Sequence, residues 1–142
     1  MKLNFSPQQD GRVHSHCVRC QAEAVVKRAQ RYHCNQCGHV DDRAIIIDPE
    51  VTWWLQEGVY YHSTAGVFLR NPEGKLLFFE RVKFPFGLTV PAGHVSPAES
   101  DQETALRETF EETTIRLRRD QLMPLFSEMI HQDSCPRGAD SH

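Results

Sequence analysis

The chain has 142 residues, 16 Lys/Arg against 19 Asp/Glu, and a net charge of −3. That balance gives no broad electrostatic case for a nucleic-acid partner. The length fits one ordinary domain, or a small metal module followed by a modest one. No run of 18 apolar residues is present, and Met1-Lys2-Leu3-Asn4-Phe5 lacks the apolar stretch of a secretory signal, so a cytoplasmic protein with no membrane partner is expected.

Four of the five cysteines form two Cys-x-x-Cys pairs, Cys17/Cys20 and Cys34/Cys37, separated by thirteen residues. Paired knuckles at this separation supply the four soft ligands of a tetrahedral structural zinc, and read as reduced thiolates more than as a disulfide framework. So small a unit has little core, and metal binding would supply much of its folding energy. Segments 24–29 and 30–33 read as short strands between the knuckles. His14, His16, His33 and His39 read as surface residues, with replacement of one thiolate by a histidine as the other possibility.

An apolar strand, Arg43–Ile47, follows and ends at Asp48-Pro49; its partner is either the ribbon or the next unit. The division expected is a zinc ribbon with its following strand over 1–50, a linker over 51–62, and a second domain over 63–142. In the linker, Trp53, Trp54, Tyr60 and Tyr61 read as packing aromatics, with stacking on a base as the alternative. Ser63–Arg70 and Lys75–Arg81 read as a hairpin joined by the turn Asn71-Pro72-Glu73-Gly74. A short strand at Gly87–Val90 leads into Pro91-Ala92-Gly93-His94, and Phe84-Pro85-Phe86 before it suits either core or a pocket wall.

A helix comes next, with Ser100 as N-cap and Glu103 three residues later completing a capping box. Leu106, Phe110, Ala105 and Thr113 are the expected buried stripe. Glu108, Glu111 and Glu112 stand at i, i+3 and i+4, on adjoining turns of one face. Three like charges repel one another there, and a hard divalent cation such as magnesium would complete the group. Leu122–Ile130 reads as one more strand and the last dozen residues as loop. Cys135 reads as an incidental thiol.

Gly93-x5-Glu99-x7-Arg107-Glu108-Thr109-Phe110-Glu111-Glu112-Thr113-Thr114-Ile115 resembles the signature of the Nudix hydrolases. The resemblance spans about residues 63–131, and the four-cysteine prefix resembles the zinc ribbon of some Nudix proteins, including the NADH pyrophosphatase-like group. It implies an α+β fold in which the zinc ribbon precedes a Nudix-type αβα sandwich. It also implies magnesium- or manganese-dependent hydrolysis of a nucleoside diphosphate linked to another moiety, such as ADP-ribose or NADH. Glu111 and Glu112 would be the principal metal ligands and Glu108 a further one, with the Gly93 carbonyl touching the metal. Arg107 would orient the carboxylates and Glu99 would tie the loop to the helix.

Two positions depart from the signature. Thr114 replaces a glycine, at a cost of about 1 kcal/mol if the position is left-handed, and Thr109 replaces an aliphatic residue. Family members usually continue beyond this length, so an incomplete sandwich is expected, with an exposed sheet edge open to homodimerisation. A zinc-ribbon binding module with a catalytically incomplete hydrolase half is the alternative function.

Overall fold

The computed structural model describes residues 1–82, 84–130, 135 and 137. The architecture is mixed α+β, with a four-cysteine cluster toward the N-terminus and, among the described residues, a single α-helix. No described helix is long and apolar enough to cross a membrane.

The ribbon is a three-stranded antiparallel sheet in the order β2 (Val25–Arg28), β3 (Arg31–Cys34), β4 (Val40–Asp41). Its two knuckles share one turn. The Cys17 carbonyl accepts from Gln21 N–H at 2.8 Å and the Cys34 carbonyl from Gly38 N–H at 3.0 Å. Both closing residues are left-handed, Gln21 at φ 59° and Gly38 at φ 72°. Glycine is at home there. Gln21 instead holds the N-terminal segment, donating from Nε2 to the Lys2 carbonyl and accepting from Asn4 N–H through Oε1.

The apolar strand forms as β5 (Ile45–Ile47), and its partner is β1 (His14–His16), just ahead of the first knuckle. That pairing buries His14 and His16, correcting their surface reading. His14 lies between Asp10 and Glu23 at 2.8 and 2.6 Å, and the His16 ring stacks on Phe5 at 3.9 Å. His33 and His39 are half-buried. None of the four enters the thiol cluster.

Residues 51–62, read as a linker, contain a regular hairpin of β6 (Trp53–Gln56) and β7 (Val59–His62). Glu57 and Gly58 both have positive φ, as a two-residue turn matching strand twist requires. Trp54 stacks on Tyr61 at 5.3 Å, while Trp53 packs against a core of Ile45, Ile47, Tyr60 and Cys135. The N-terminus lies along β7, with Tyr60 N–H donating to the Met1 carbonyl and Leu3 N–H to the Gly58 carbonyl. The core therefore joins the chain's start, the ribbon strand, the hairpin and the tail.

The next hairpin is shorter than expected. It is reduced to an isolated bridge between Arg70 and Leu76 flanking the anticipated turn, and its outer ends, β8 (Thr64–Gly66) and β9 (Phe79–Arg81), pair with other strands rather than with each other. β9 pairs with β10 (Gly87–Thr89), and β8 with β11 (Ala92–His94), both antiparallel. Phe86 is 74% exposed and so not part of the core, while Phe84 and Pro85 are half-buried.

The helix α1 (Asp101–Thr113) packs on β8 and β11. Its capping box forms; of the expected stripe Ala105 is buried, Leu106 and Thr113 are half-buried and Phe110 is not buried, while Thr104 and Thr109 are buried in addition. Phe110 is exposed and carries the Arg116 guanidinium on its ring at 4.0 Å. A thin, small-residue face wins because Ala65 and Gly93, paired across β8 and β11, allow close approach. The strand expected at Leu122–Ile130 does not form; after a 3-10 turn at Arg119–Gln121 the described chain has no ladder partner there. An apolar run becomes a strand only when another edge supplies its hydrogen bonds.

Candidate functional site

The four thiols meet as expected, with every Sγ within 4.8 Å of the others. Cys17 Sγ lies 3.7 Å from Cys37 Sγ, and Cys20 Sγ lies 3.6 Å from Cys34 Sγ. A disulfide needs about 2.05 Å. Zinc at about 2.3 Å from each sulfur of a tetrahedron separates the sulfurs by about 3.8 Å. The spacing thus fits a metal and excludes paired disulfides. Without a metal, the backbone N–H groups of Cys37 and Gln36 pull the Cys34 thiol down, while burial and the neighbouring thiols push Cys20 up.

The second cluster lies between β11 and α1. Ser96–Glu99 form a turn, closed by Glu99 N–H on the Ser96 carbonyl, and Ser100 begins the helix. Arg107, two turns in, reaches back to Glu99 with a two-pronged pair, Nε to Oε1 at 2.8 Å and Nη2 to Oε2 at 3.0 Å. Thr104 Oγ1 adds a bond to Glu99 at 3.0 Å. The bidentate partner of Arg107 is thus Glu99, while Nη1 alone meets Glu108 at 2.6 Å and Glu111 at 3.3 Å. Nη2 also donates to the His94 carbonyl at 3.3 Å, tying helix, loop and strand together. The guanidinium holds the Glu99 carboxyl below the usual range, and Glu99 in turn raises Arg107.

Gly93 owes its identity to Glu108. A Cβ on Gly93 would collide with the Glu108 carboxylate, so only glycine lets that carboxylate lie over the strand. Glu112 turns the other way and accepts from Ala92 N–H at 3.1 Å. Although much of Glu112 faces solvent, loss of water around its carboxylate raises its pKa first, with Glu108 and Glu111 adding repulsion. The three glutamates share one side of the helix. They do not form a set with all ligand atoms within 4.8 Å, because Arg107 draws two of them and Ala92 the third. Arginine-braced carboxylates beside a glycine-smoothed strand are an arrangement suited to receiving a cation.

The NUDIX domain family matches residues 60–138, more than half of the chain. The chain belongs to the Nudix family. That membership supports a pyrophosphohydrolase-type reaction in general terms. No curated protein and no solved structure matches the chain. The Nudix match begins inside β7, within the segment the sequence assigned to a linker, and it reaches past Cys135.

Cys135 is the residue whose surroundings the sequence concealed. It is buried against His62 and His94, and the three form the other described group with metal-ligand spacing. The 32 and 41 positions that separate them in sequence leave no local motif; only the burial-prone position of His62 in a β-rich run hinted at it.

Proposed function

We propose that this Nudix protein uses magnesium or manganese to hydrolyse the pyrophosphate bond of a nucleoside diphosphate linked to another moiety, with ADP-ribose and NADH as representatives. The observation carrying this reading is the Glu99–Arg107 clamp, which presents Glu108 and Glu111 on the side of α1 that meets Gly93. Glu111 and Glu112 are the principal ligands in this reading, Glu108 is a further one, and the Gly93 carbonyl borders the site. A divalent cation there supplies charge neutralisation for the phosphates and polarises their bonds. The hard oxygen donors fit such an ion, and relief of repulsion around Glu112 favours its entry. Arg107 and Glu99 are positioning residues that hold the helix, loop and strand in register. Uptake of the attacking water's proton falls to Glu111 or Glu112 in this reading. The sheet and α1 would form part of an αβα sandwich, and its exposed edge a site for a second copy.

The engagement of Glu108 and Glu111 by Arg107 also suits the second reading, a zinc-ribbon binding module with an inactive hydrolase half. A screen of ADP-ribose, NADH and diadenosine compounds with magnesium separates the two. The enzyme releases phosphate-containing products, and Glu111→Gln and Glu112→Gln reduce them to background. No turnover from this chain or from one extended at its C-terminus would remove the enzymatic reading, and ligand binding that survives both changes would favour the module.

A further inference from the structure

Three side chains that the hydrolysis does not use converge beneath β7 and β11. His62 is fully buried, Cys135 is 4% exposed and His94 is half-buried. Their facing atoms are His62 Nδ1, His94 Nε2 and Cys135 Sγ, with the sulfur 3.9 Å from the first and 3.7 Å from the second. A tetrahedral zinc with sulfur at about 2.3 Å and nitrogen at about 2.0–2.1 Å sets sulfur and nitrogen about 3.6 Å apart. Both sulfur–nitrogen distances stand within a few tenths of an ångström of that spacing, and all three atoms lie within 4.8 Å of one another.

A hydrogen bond behind His62 anchors its ring. Tyr60 has one hydroxyl proton and donates it to the Ile46 carbonyl at 2.7 Å. Its oxygen is then placed to accept from His62 Nε2–H at 2.7 Å, while His62 Nδ1 stands 3.9 Å from Cys135 Sγ. A ligating histidine anchored through its other nitrogen has this arrangement. Cys135 Sγ also accepts from Arg137 N–H at 3.4 Å, the same i+2 contact and length that Arg19 N–H makes to Cys17 in the four-thiol cluster. One cation can be held by all three facing atoms at once. The cysteine is held in place by its neighbours, since Arg43 Nε donates to its carbonyl at 2.9 Å and Ile46 N–H donates to the Arg137 carbonyl at 3.0 Å.

We propose that His62, His94 and Cys135 form a second zinc site, distinct from the four-thiol site, that staples the tail to β7 and β11. Two imidazoles and a thiolate select zinc over magnesium. Three ligands from the described residues leave a fourth position for a further donor. The site shares His94 with the acidic cluster, because its carbonyl accepts from Arg107 while its side chain enters the zinc site. The proposal stands independently of the hydrolase reading, and its test is metal content rather than turnover.

The reduced, metal-free 142-residue chain is titrated with zinc against a chromophoric chelator. Two tight equivalents are expected for the wild type and one for Cys135→Ala and His62→Ala. Cadmium NMR of the loaded chain then shows two resonances, of which Cys135→Ala loses one and retains the four-thiolate signal; that retained signal reports a folded ribbon. A single equivalent in the wild type, or two in Cys135→Ala, overturns the proposal.

Discussion

Thr114 caps α1 with φ 61° and ψ 4°, while its N–H donates to the Phe110 carbonyl at 2.8 Å. A β-branched residue is strained in that conformation because its Cβ crowds the backbone, whereas glycine adopts it freely. Thr114→Gly keeps the capping bond and removes the strain, at some cost in unfolded-state entropy. It is expected to stabilise the protein by about 1 kcal/mol, read as a higher denaturant midpoint at unchanged m-value. The glycine of the signature and the left-handed backbone are thus one requirement, legible from a single letter. Gly93 differs. Its spacing marks it, but the reason for it, a Glu108 carboxylate over its Cα, exists only once helix and strand meet.

At the scale of elements, α1 is held by its start and by one arginine. The capping box is readable at Ser100 and Glu103 because both partners lie within one turn. The buried face is readable only at Ala105, because hydrophobicity alone favours Leu106 and Phe110, while close approach of the strands buries Thr104 and Thr109 as well. The Glu99–Arg107 clamp gives this element a pH dependence. The Glu99 carboxyl titrates below its usual value of 4.5, Arg107 being the first cause. A depressed carboxyl stabilises the fold above its unfolded pKa, and that contribution disappears as pH falls through the folded value. Glu99→Gln is therefore expected to lower the melting temperature at neutral pH, with the gap to wild type closing below about pH 4.5. A constant gap from about pH 7 to about pH 3 would refute the linkage. If Arg107 positions the metal ligands, the same variant weakens magnesium affinity by about 10–100-fold, measured by calorimetry.

Over the whole molecule, the ribbon has few buried side chains of its own, while β5 belongs to a core shared with the N-terminus, the hairpin and Cys135. Loss of ribbon zinc should therefore melt β2–β4 first. Cys37→Ser, at an exposed ligand, is expected to lower zinc content and abolish amide protection over 25–34, while protection at Tyr60 and Ile47 persists. Structural zinc in such modules contributes about 10–16 kcal/mol of apparent binding energy, so the local effect should be complete rather than partial. Simultaneous loss of protection in both regions would show that the two fold as one unit.

The sequence by itself determined the four-thiol cluster, the helix with its cap, and the signature that places this chain in the Nudix family. Each is written in spacings of a few residues, where backbone geometry alone sets which side chains meet. Tertiary structure decided the rest: the hairpin where a linker was expected, the absence of a strand at 122–130, the buried His14 and His16, and the meeting of His62, His94 and Cys135. Those outcomes depend on which edge or face is available at long range, and no local pattern records that.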